Sequence, residues 1–203
     1  RLKDKAVVLF AADHHIADHG LSLTSTDVTY IQTRNFLQGG GTINAFTRNA
    51  GARLSVVDVG VNYDFGDLPG LVKRKVMHGA NDFSRGPAMT REQALECLQV
   101  GIDMAREEKA RGLDIVAAGE MGIGNTTPSS AIVAVLTGTP VETVTGRGSG
   151  VKGEVIRKKI ELIEQGIALN NPDPSDAIDV LAKVGGPEIG AMAGLMLGAA
   201  SLR

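Results

Sequence analysis

The densest concentration of chemistry in the chain is the run Ala117-Ala118-Gly119-Glu120-Met121-Gly122-Ile123-Gly124-Asn125-Thr126-Thr127. Glycines 119, 122 and 124 permit positive φ and a close ligand approach, and Asn125, Thr126 and Thr127 are favoured where helices start. N–H groups exposed at such a start attract an anion, above all a phosphate. Glu120 is out of place beside a phosphate unless it does something separate, such as holding a hydroxyl, polarising a ring nitrogen or taking a proton. The spacing matches neither the dinucleotide fingerprint nor the Walker loop. Taken alone, the pattern stands either for a tight strand-to-helix turn or for a ligand seat.

A second cluster is Asp13-His14-His15-Ile16-Ala17-Asp18-His19-Gly20. Imidazoles and carboxylates are ordinary divalent-metal ligands, but the spacing is not that of a zinc site, and neighbours such as 14 and 15 rarely converge on one ion. No metal is expected; Asp13 and His14 are read as loop residues that organise hydrogen bonds around a ligand. Gly146-Arg147-Gly148-Ser149-Gly150 sets alternating glycines around an arginine and suggests a second approach to an anion. Cys97, the single cysteine, falls in a helical pattern and reads as a small buried hydrophobe, with no internal disulfide possible.

These clusters need elements to hold them. Ala6 to Ala12 is a continuous apolar run of strand length, as expected for a buried parallel strand, and it delivers Asp13 and His14 at its carboxyl end. Leu54 to Gly60 repeats that grammar; Asp58 within it suits a loop anchor better than a ribose ligand. Leu113 to Ala118 is a third strand, and Val141 to Thr145 is expected to be a fourth. Helices are predicted over Ser22 to Leu37, from Thr42 to Gly51, from a Thr90/Gln93 capping box toward Gly112, over Ser129 to Leu136, over Glu154 to Leu169, over a short stretch ending at Val184, and from Pro187 onward. Gly39-Gly40-Gly41 is equally a helix-helix turn or a ligand entry. Residues 62–89 read as a long loop, with Lys73-Arg74-Lys75 as a solvated basic edge. Ser129 to Leu136 is almost wholly apolar, which implies burial, and Gly190, Gly194 and Gly198 make one smooth ridge for close packing in a core or a dimer.

The chain has 203 residues, enough for one α/β domain. Lys and Arg number 21 against 23 Asp and Glu, a net charge of −2 that offers no electrostatic footprint for nucleic acid or an anionic membrane. No apolar run reaches the roughly 18 residues of a membrane span, and the expectation is a soluble cytoplasmic protein. The first residue is Arg and the last ones fall inside an apolar glycine-spaced stretch, so both ends are expected to continue.

Read in order, Ala11-Ala12-Asp13-His14 with Gly20-Leu21-Ser22, Asn35-Phe36-Leu37 with Gly40-Gly41 and Ile43-Asn44, Val56 to Val61, Gly86-Pro87-Ala88-Met89-Thr90, Gly119 to Thr127 and Gly146-Arg147-Gly148 resemble the nicotinate-nucleotide:dimethylbenzimidazole phosphoribosyltransferase family of cobalamin assembly. The resemblance runs from about Ala6 to the last helix, and Gly-Glu-Met-Gly-Ile-Gly-Asn-Thr-Thr is its most specific part.

The resemblance implies a Rossmann-like three-layer fold, a parallel sheet flanked by helices, with residues 1–203 as its single core domain and a small second domain largely missing. It implies a homodimer without metal or organic cofactor. The activity it implies moves phosphoribose from nicotinate mononucleotide to 5,6-dimethylbenzimidazole or a related base. Gly122, Gly124, Asn125, Thr126 and Lys159 would hold the 5′-phosphate, alongside Arg147 and Gly148; Met121 and Ile123 belong to the same motif. Ser22 would line the base pocket with Tyr30 and Gln32 beside it. Glu120 is the one strong candidate here for taking the ring proton of the incoming base. Family members carry a further glutamate, the main general base, in a Gly-Glu-Gly-type stretch expected beyond Arg203. Two departures stand out: His15 where glycine commonly follows Asp-His, and Pro187 where Phe precedes Glu188. The alternatives are a nucleotide- or base-binding chain without turnover, and a Rossmann-like domain for some other nucleotide.

Overall fold

The computed structural model describes residues 2–148 and 150–202. In chain order the elements are β1 (Lys5–Ala12), a 3-10 turn (His15–His19), α1 (Val28–Leu37), α2 (Thr42–Ala50), β2 (Ala52–Gly60), β3 (Leu71–Lys73), α3 (Arg91–Ala110), β4 (Ile115–Met121), α4 (Thr126–Thr137), α5 (Val141–Val144), α6 (Glu154–Asn170), α7 (Ala177–Val184) and α8 (Pro187–Ser201). The fold is α/β.

All ladders are parallel, and the sheet order is β3-β2-β1-β4. β1 is central, which is why its sequence is apolar on both faces. Val8, Phe10 and Ala12 join β2's Val57 and Val59 under α3 and α8. Leu9 and Ala11 face the opposite way, with Val56, toward Tyr30 and Phe36 of α1 and Ile43 of α2. The chain passes outward from β1 to β2 and β3, then returns through α3 to β4 on the other side of β1. This reversal makes a switch point between β1 and β4, and ligands of such sheets bind outside the carboxyl ends there. The register brings the two ends together, pairing Phe10 with Glu120 and Ala11 with Met121.

α3 begins as predicted: Thr90 Oγ1 accepts from Gln93 N at 3.2 Å, and Gln93 Oε1 accepts from Thr90 N at 2.9 Å. The glycine ridge of α8 lies against α3. A Cβ at Gly194 would stand 1.9 Å from the Leu98 carbonyl oxygen, and one at Gly101 of α3 would stand 1.9 Å from that of Ala191. The ridge is therefore spent inside the core. A second cluster, including Ile16, Phe83, Ala131, Leu162, Ile163 and Val180, joins α4, α6 and α7 and backs the turn that follows β4.

Several expectations need correction. Val141 to Thr145 is no strand: Val141–Val144 is one turn of helix after Pro140, tied to α4 by Ser130 Oγ donating to the Val144 carbonyl at 3.1 Å. Val-Glu-Thr-Val is too short to carry either period clearly, and it joins no ladder among the described residues. α1 begins at Val28 and not at Ser22, and its cap residue Asp27 makes no side-chain cap bond. The loop over 62–89 contains the short edge strand β3. Its basic run is ion-paired: Lys73 with Asp67, Arg74 with Glu107 and Lys75 with Asp58. In α4, Ala131 is buried, but Val133 and Leu136 are 44% and 45% exposed, so the helix is only half covered.

Candidate active site

Glu120 is the penultimate residue of β4, and the turn after it leads directly into α4. Two of its glycines are needed because other chain segments come close. A Cβ at Gly122 would lie 2.5 Å from the Ala12 carbonyl oxygen, and one at Gly124, whose φ is +89°, would lie 2.6 Å from Ala17 Cβ. The turn is thus moulded onto the loop after β1. Ile123 N donates to Thr29 Oγ1 of α1 at 3.1 Å, fixing it from the other side.

Asn125 donates its side-chain amide to Glu120 Oε2. Glu120 keeps an exposed surface at the cleft mouth. Protein packed around the carboxylate, and next the negative charge of Glu188, nonetheless raise its pKa above the ordinary glutamate value. A carboxylate in this condition has gained affinity for a proton.

The residue after Asn125 faces a cation. Lys159 of α6 is only 2% exposed, and its Nζ donates to Thr126 Oγ1 at 2.7 Å and to the Gly146 carbonyl at 3.4 Å. Burial brings its pKa down to about 8. No carboxylate among the described residues forms an ion pair with it. Gly148, at φ +50°, leaves this space open: a Cβ there would stand 2.8 Å from Thr126 Oγ1 and 3.7 Å from Lys159 Nζ. Thr127 Oγ1, the next residue on, is buried with no hydrogen-bond partner among the described residues. A buried ammonium at a helix start, lacking a counter-charge, is a seat for an anion.

A cleft of about 570 Å³ opens on the other side of the turn, lined by Leu9, Thr24, Val28, Gln32, Asn35, Phe36, Gly40, Gly41, Thr42, Ile43, Glu120, Met121 and Ile123. Its size and its largely apolar wall with a few polar groups suit a small planar ligand. The triple glycine shapes this wall, because a Cβ at Gly40 would meet Asn35 Oδ1 at 2.1 Å and one at Gly41 would meet Phe36 Cδ1 at 2.4 Å. Gln32 is oriented by accepting from Asn35 Nδ2 at 2.9 Å.

A smaller cavity of about 130 Å³ lies beside Asp13, His14, His15, Asp18, Thr26, Asp27, Tyr30 and Asn62. Asp13 Oδ2 accepts from Asn62 N at 2.8 Å while its Oδ1 is buried with no hydrogen-bond partner among the described residues, and burial raises its pKa. His14 is buried, and its Nε2 bonds Glu188 Oε1 at 2.9 Å. Burial pulls the imidazole pKa down, but the Glu188 charge and hydrogen bond outweigh it and the net movement is upward. The other two imidazoles point elsewhere: His15 to Asp18 and the His78 carbonyl, His19 to Asp82.

The cleft gathers Gln32, Glu120, Met121 and Ile123 of the sequence-predicted set, and the anion seat gathers Thr126, Gly148 and Lys159. Gly122, Gly124 and Asn125 form the turn between them. Tyr30 lines the smaller cavity and stacks on Tyr63 with ring centroids 4.4 Å apart. Ser22 is not on the cleft wall; Thr24, two residues on, is, with its Oγ1 3.2 Å from Ser22 Oγ. Arg147 is exposed, and its carbonyl accepts from Gly150 and Val151; Ser149 of that run lies outside the described residues. Asp58 is the expected loop anchor, paired with Lys75 and accepting from Val61 N. His15 lines the smaller cavity and not the larger cleft, and Pro187 is the first residue of α8. Sequence reasoning assigned Glu188 only a helix-start role. The signal was an acid one residue into an otherwise apolar helix, where burial demands a partner.

A phosphoribosyltransferase family model matches residues 1–203. The chain is 55% identical to a nicotinate-nucleotide–dimethylbenzimidazole phosphoribosyltransferase of Geobacter sulfurreducens over 99% of its own length and 57% of that protein. It is 51% identical to the protein of the same name from Roseiflexus sp. over 100% of its length and 58% of that protein. Among solved structures, CobT from Thermus thermophilus superposes with a TM-score of 0.94 at 42% identity, covering 100% of this chain and 60% of that one. The chain therefore spans about three-fifths of the length of these relatives.

Proposed function

We propose a reaction for this site from one premise: the chain belongs to the phosphoribosyltransferase family whose model it matches throughout. The reaction is transfer of phosphoribose from nicotinate mononucleotide to 5,6-dimethylbenzimidazole or a related base, giving α-ribazole 5′-phosphate and nicotinate. The observation that carries it is Lys159, a buried ammonium without a carboxylate partner among the described residues, set across one turn from the proton-seeking carboxylate of Glu120.

The 5′-phosphate sits on Lys159, Thr126 and the start of α4, where cation and helix dipole act together. The incoming base occupies the cleft against Leu9, Phe36, Ile43, Met121 and Ile123, with Gln32 and Thr24 as its polar neighbours. One ring nitrogen of the base bonds the anomeric carbon as the bond from that carbon to the nicotinate nitrogen breaks. Nicotinate leaves with that electron pair, and the proton carried by the base's imidazole ring passes to a carboxylate. Glu120 is the carboxylate on this chain placed to receive it.

Residues 1–203 serve in this proposal as one Rossmann-like unit acting as a homodimer in the cytosol, without metal or organic cofactor. Among the described residues no helix is long and apolar enough to cross a membrane.

Incubation with nicotinate mononucleotide and dimethylbenzimidazole, followed by mass spectrometry, tests the reading. α-Ribazole phosphate with an equal amount of released nicotinate is the expected result. Saturable mononucleotide binding without product would replace the transferase reading with that of a binding chain.

A further inference from the structure

We propose that His14 and Glu188 form a buried positioning pair, an imidazolium held by a carboxylate, which supports the Gly122 turn from beneath and counterbalances Asp13 and Glu120 beside the nucleotide. The inference deepens the reading above and rests on it only for the identity of the ligand.

The two partners come from opposite ends of the chain, His14 from the end of β1 and Glu188 from the first turn of α8. Their relative exposures are 2% and 0%. Glu188 is suited to carry charge where it stands, since a helix N-terminus favours an anion. Gly186 makes room for the contact: a Cβ there would lie 2.4 Å from His14 Cε1 and 2.9 Å from Glu188 Oε2. The Cδ2–Nε2 edge of the ring, which also carries the bond to Glu188, lies beside Gly122: a Cβ there would stand 3.4 Å from both atoms. The imidazole thus stands against the residue two positions after Glu120.

The charges around the ring point one way. Asp13 on the same loop, Glu120 on β4 and Glu188 on α8 all act on it. From α3 comes only Cys97 beside Glu188, whose thiol is pushed up to about 12 and stays uncharged. A neutral imidazole would leave these carboxylates without compensation in a largely buried place, which is costly. Among the described residues Glu188 Oε2 has no hydrogen-bond partner, so the bond from Oε1 to His14 is what holds the carboxylate. Because the folded-state pKa of His14 is raised, the imidazolium persists below that value and is lost as pH rises through it.

Histidine-selective 15N NMR titration of the chain, with Glu188→Gln and Glu188→Asp variants, tests the pair directly. The parent His14 is expected to titrate above 6.5 and Glu188→Gln to bring it below 6.5, while Glu188→Asp keeps it above. Calorimetry with nicotinate mononucleotide supplies a second arm. Between the two midpoints the parent and the Glu188→Gln protein carry the same net charge at the pair, whereas below the variant's midpoint and above the parent's the variant is more positive by one unit. Its affinity for the anionic mononucleotide relative to the parent should therefore be about tenfold lower between the midpoints than on either side. A purely structural role would give one constant ratio at every pH. A parent His14 that is already neutral at pH 6.5, or a pH-independent ratio, overturns the proposal. If Glu188→Gln does not fold, the parent titration and the Asp variant decide. If the mononucleotide does not bind the parent, the transferase reading fails while the NMR arm still settles the pair.

Discussion

In the proposed reaction Lys159 and Glu120 divide the work between opposite charges, and each should leave a measurable trace. Because burial lowers the Lys159 pKa to about 8, its ammonium begins to disappear in a range where an ordinary lysine stays charged. A bound phosphate favours the ammonium and raises that pKa, so phosphate binding takes up a proton above pH 8. Mononucleotide affinity should therefore fall as pH rises through about 8, by up to about tenfold per unit, and calorimetry from pH 7 to pH 9.5 reads the slope. Glu120 is exposed at the cleft mouth, and its carboxylate accepts from Asn125 of the same turn. Glu120→Gln is expected to change unfolding free energy by less than about 0.5 kcal/mol and to reduce product formation by about 10²-fold or more. Urea denaturation and the product assay check the two halves, and an undiminished rate would make Glu120 a turn residue only. At this scale the placement of Glu120, Asn125 and Thr126 around the turn from β4 to α4 could be read from the sequence, because glycines and helix-starting residues flank them. The His14–Glu188 contact could not, since its partners stand 174 positions apart and nothing local to either names the other.

At the scale of elements, the site depends on how closely α8 packs on α3, because that packing places Glu188 beneath β1. Gly194 stands where any side chain would enter the Leu98 backbone. Gly194→Ala should destabilise by about 3 kcal/mol, the upper end for overpacking, seen as a lower urea midpoint. Gly86, in open space and without positive φ, is the matched control. Gly86→Ala should be neutral or stabilising by up to about 1 kcal/mol. The spacing of Gly190, Gly194 and Gly198 announced close packing in advance, and the Thr90/Gln93 box fixed the start of α3. The run Val141 to Thr145 misled because its two Val and two Thr are β-branched, and such residues favour strands only where their neighbours pack them as one. Here Pro140 opens a helical turn that bonds to α4, and tertiary placement overrode the local preference.

At the scale of the whole molecule, the order β3-β2-β1-β4 makes a site from sequence-distant residues. It sets the carboxyl ends of β1 and β4 side by side at the switch point, with α1 and α2 walling the cleft and α6 bringing Lys159 to the turn. The buried parallel strand and the polar loop at its carboxyl end were legible in the amino-acid order. The choice of Thr24 over Ser22 as a wall residue was not, because one residue's rotation in the segment before α1 depends on where that helix starts. The central claim is that the anion seat and the Glu120 cleft form one phosphoribosyl site. Its most direct test is calorimetric titration of nicotinate mononucleotide into the parent protein and into Lys159→Met at pH 7. Saturable one-site binding by the parent and a loss of about 10- to 100-fold in the variant are predicted, with the fold intact by circular dichroism. Equal affinity in the two proteins would contradict the claim.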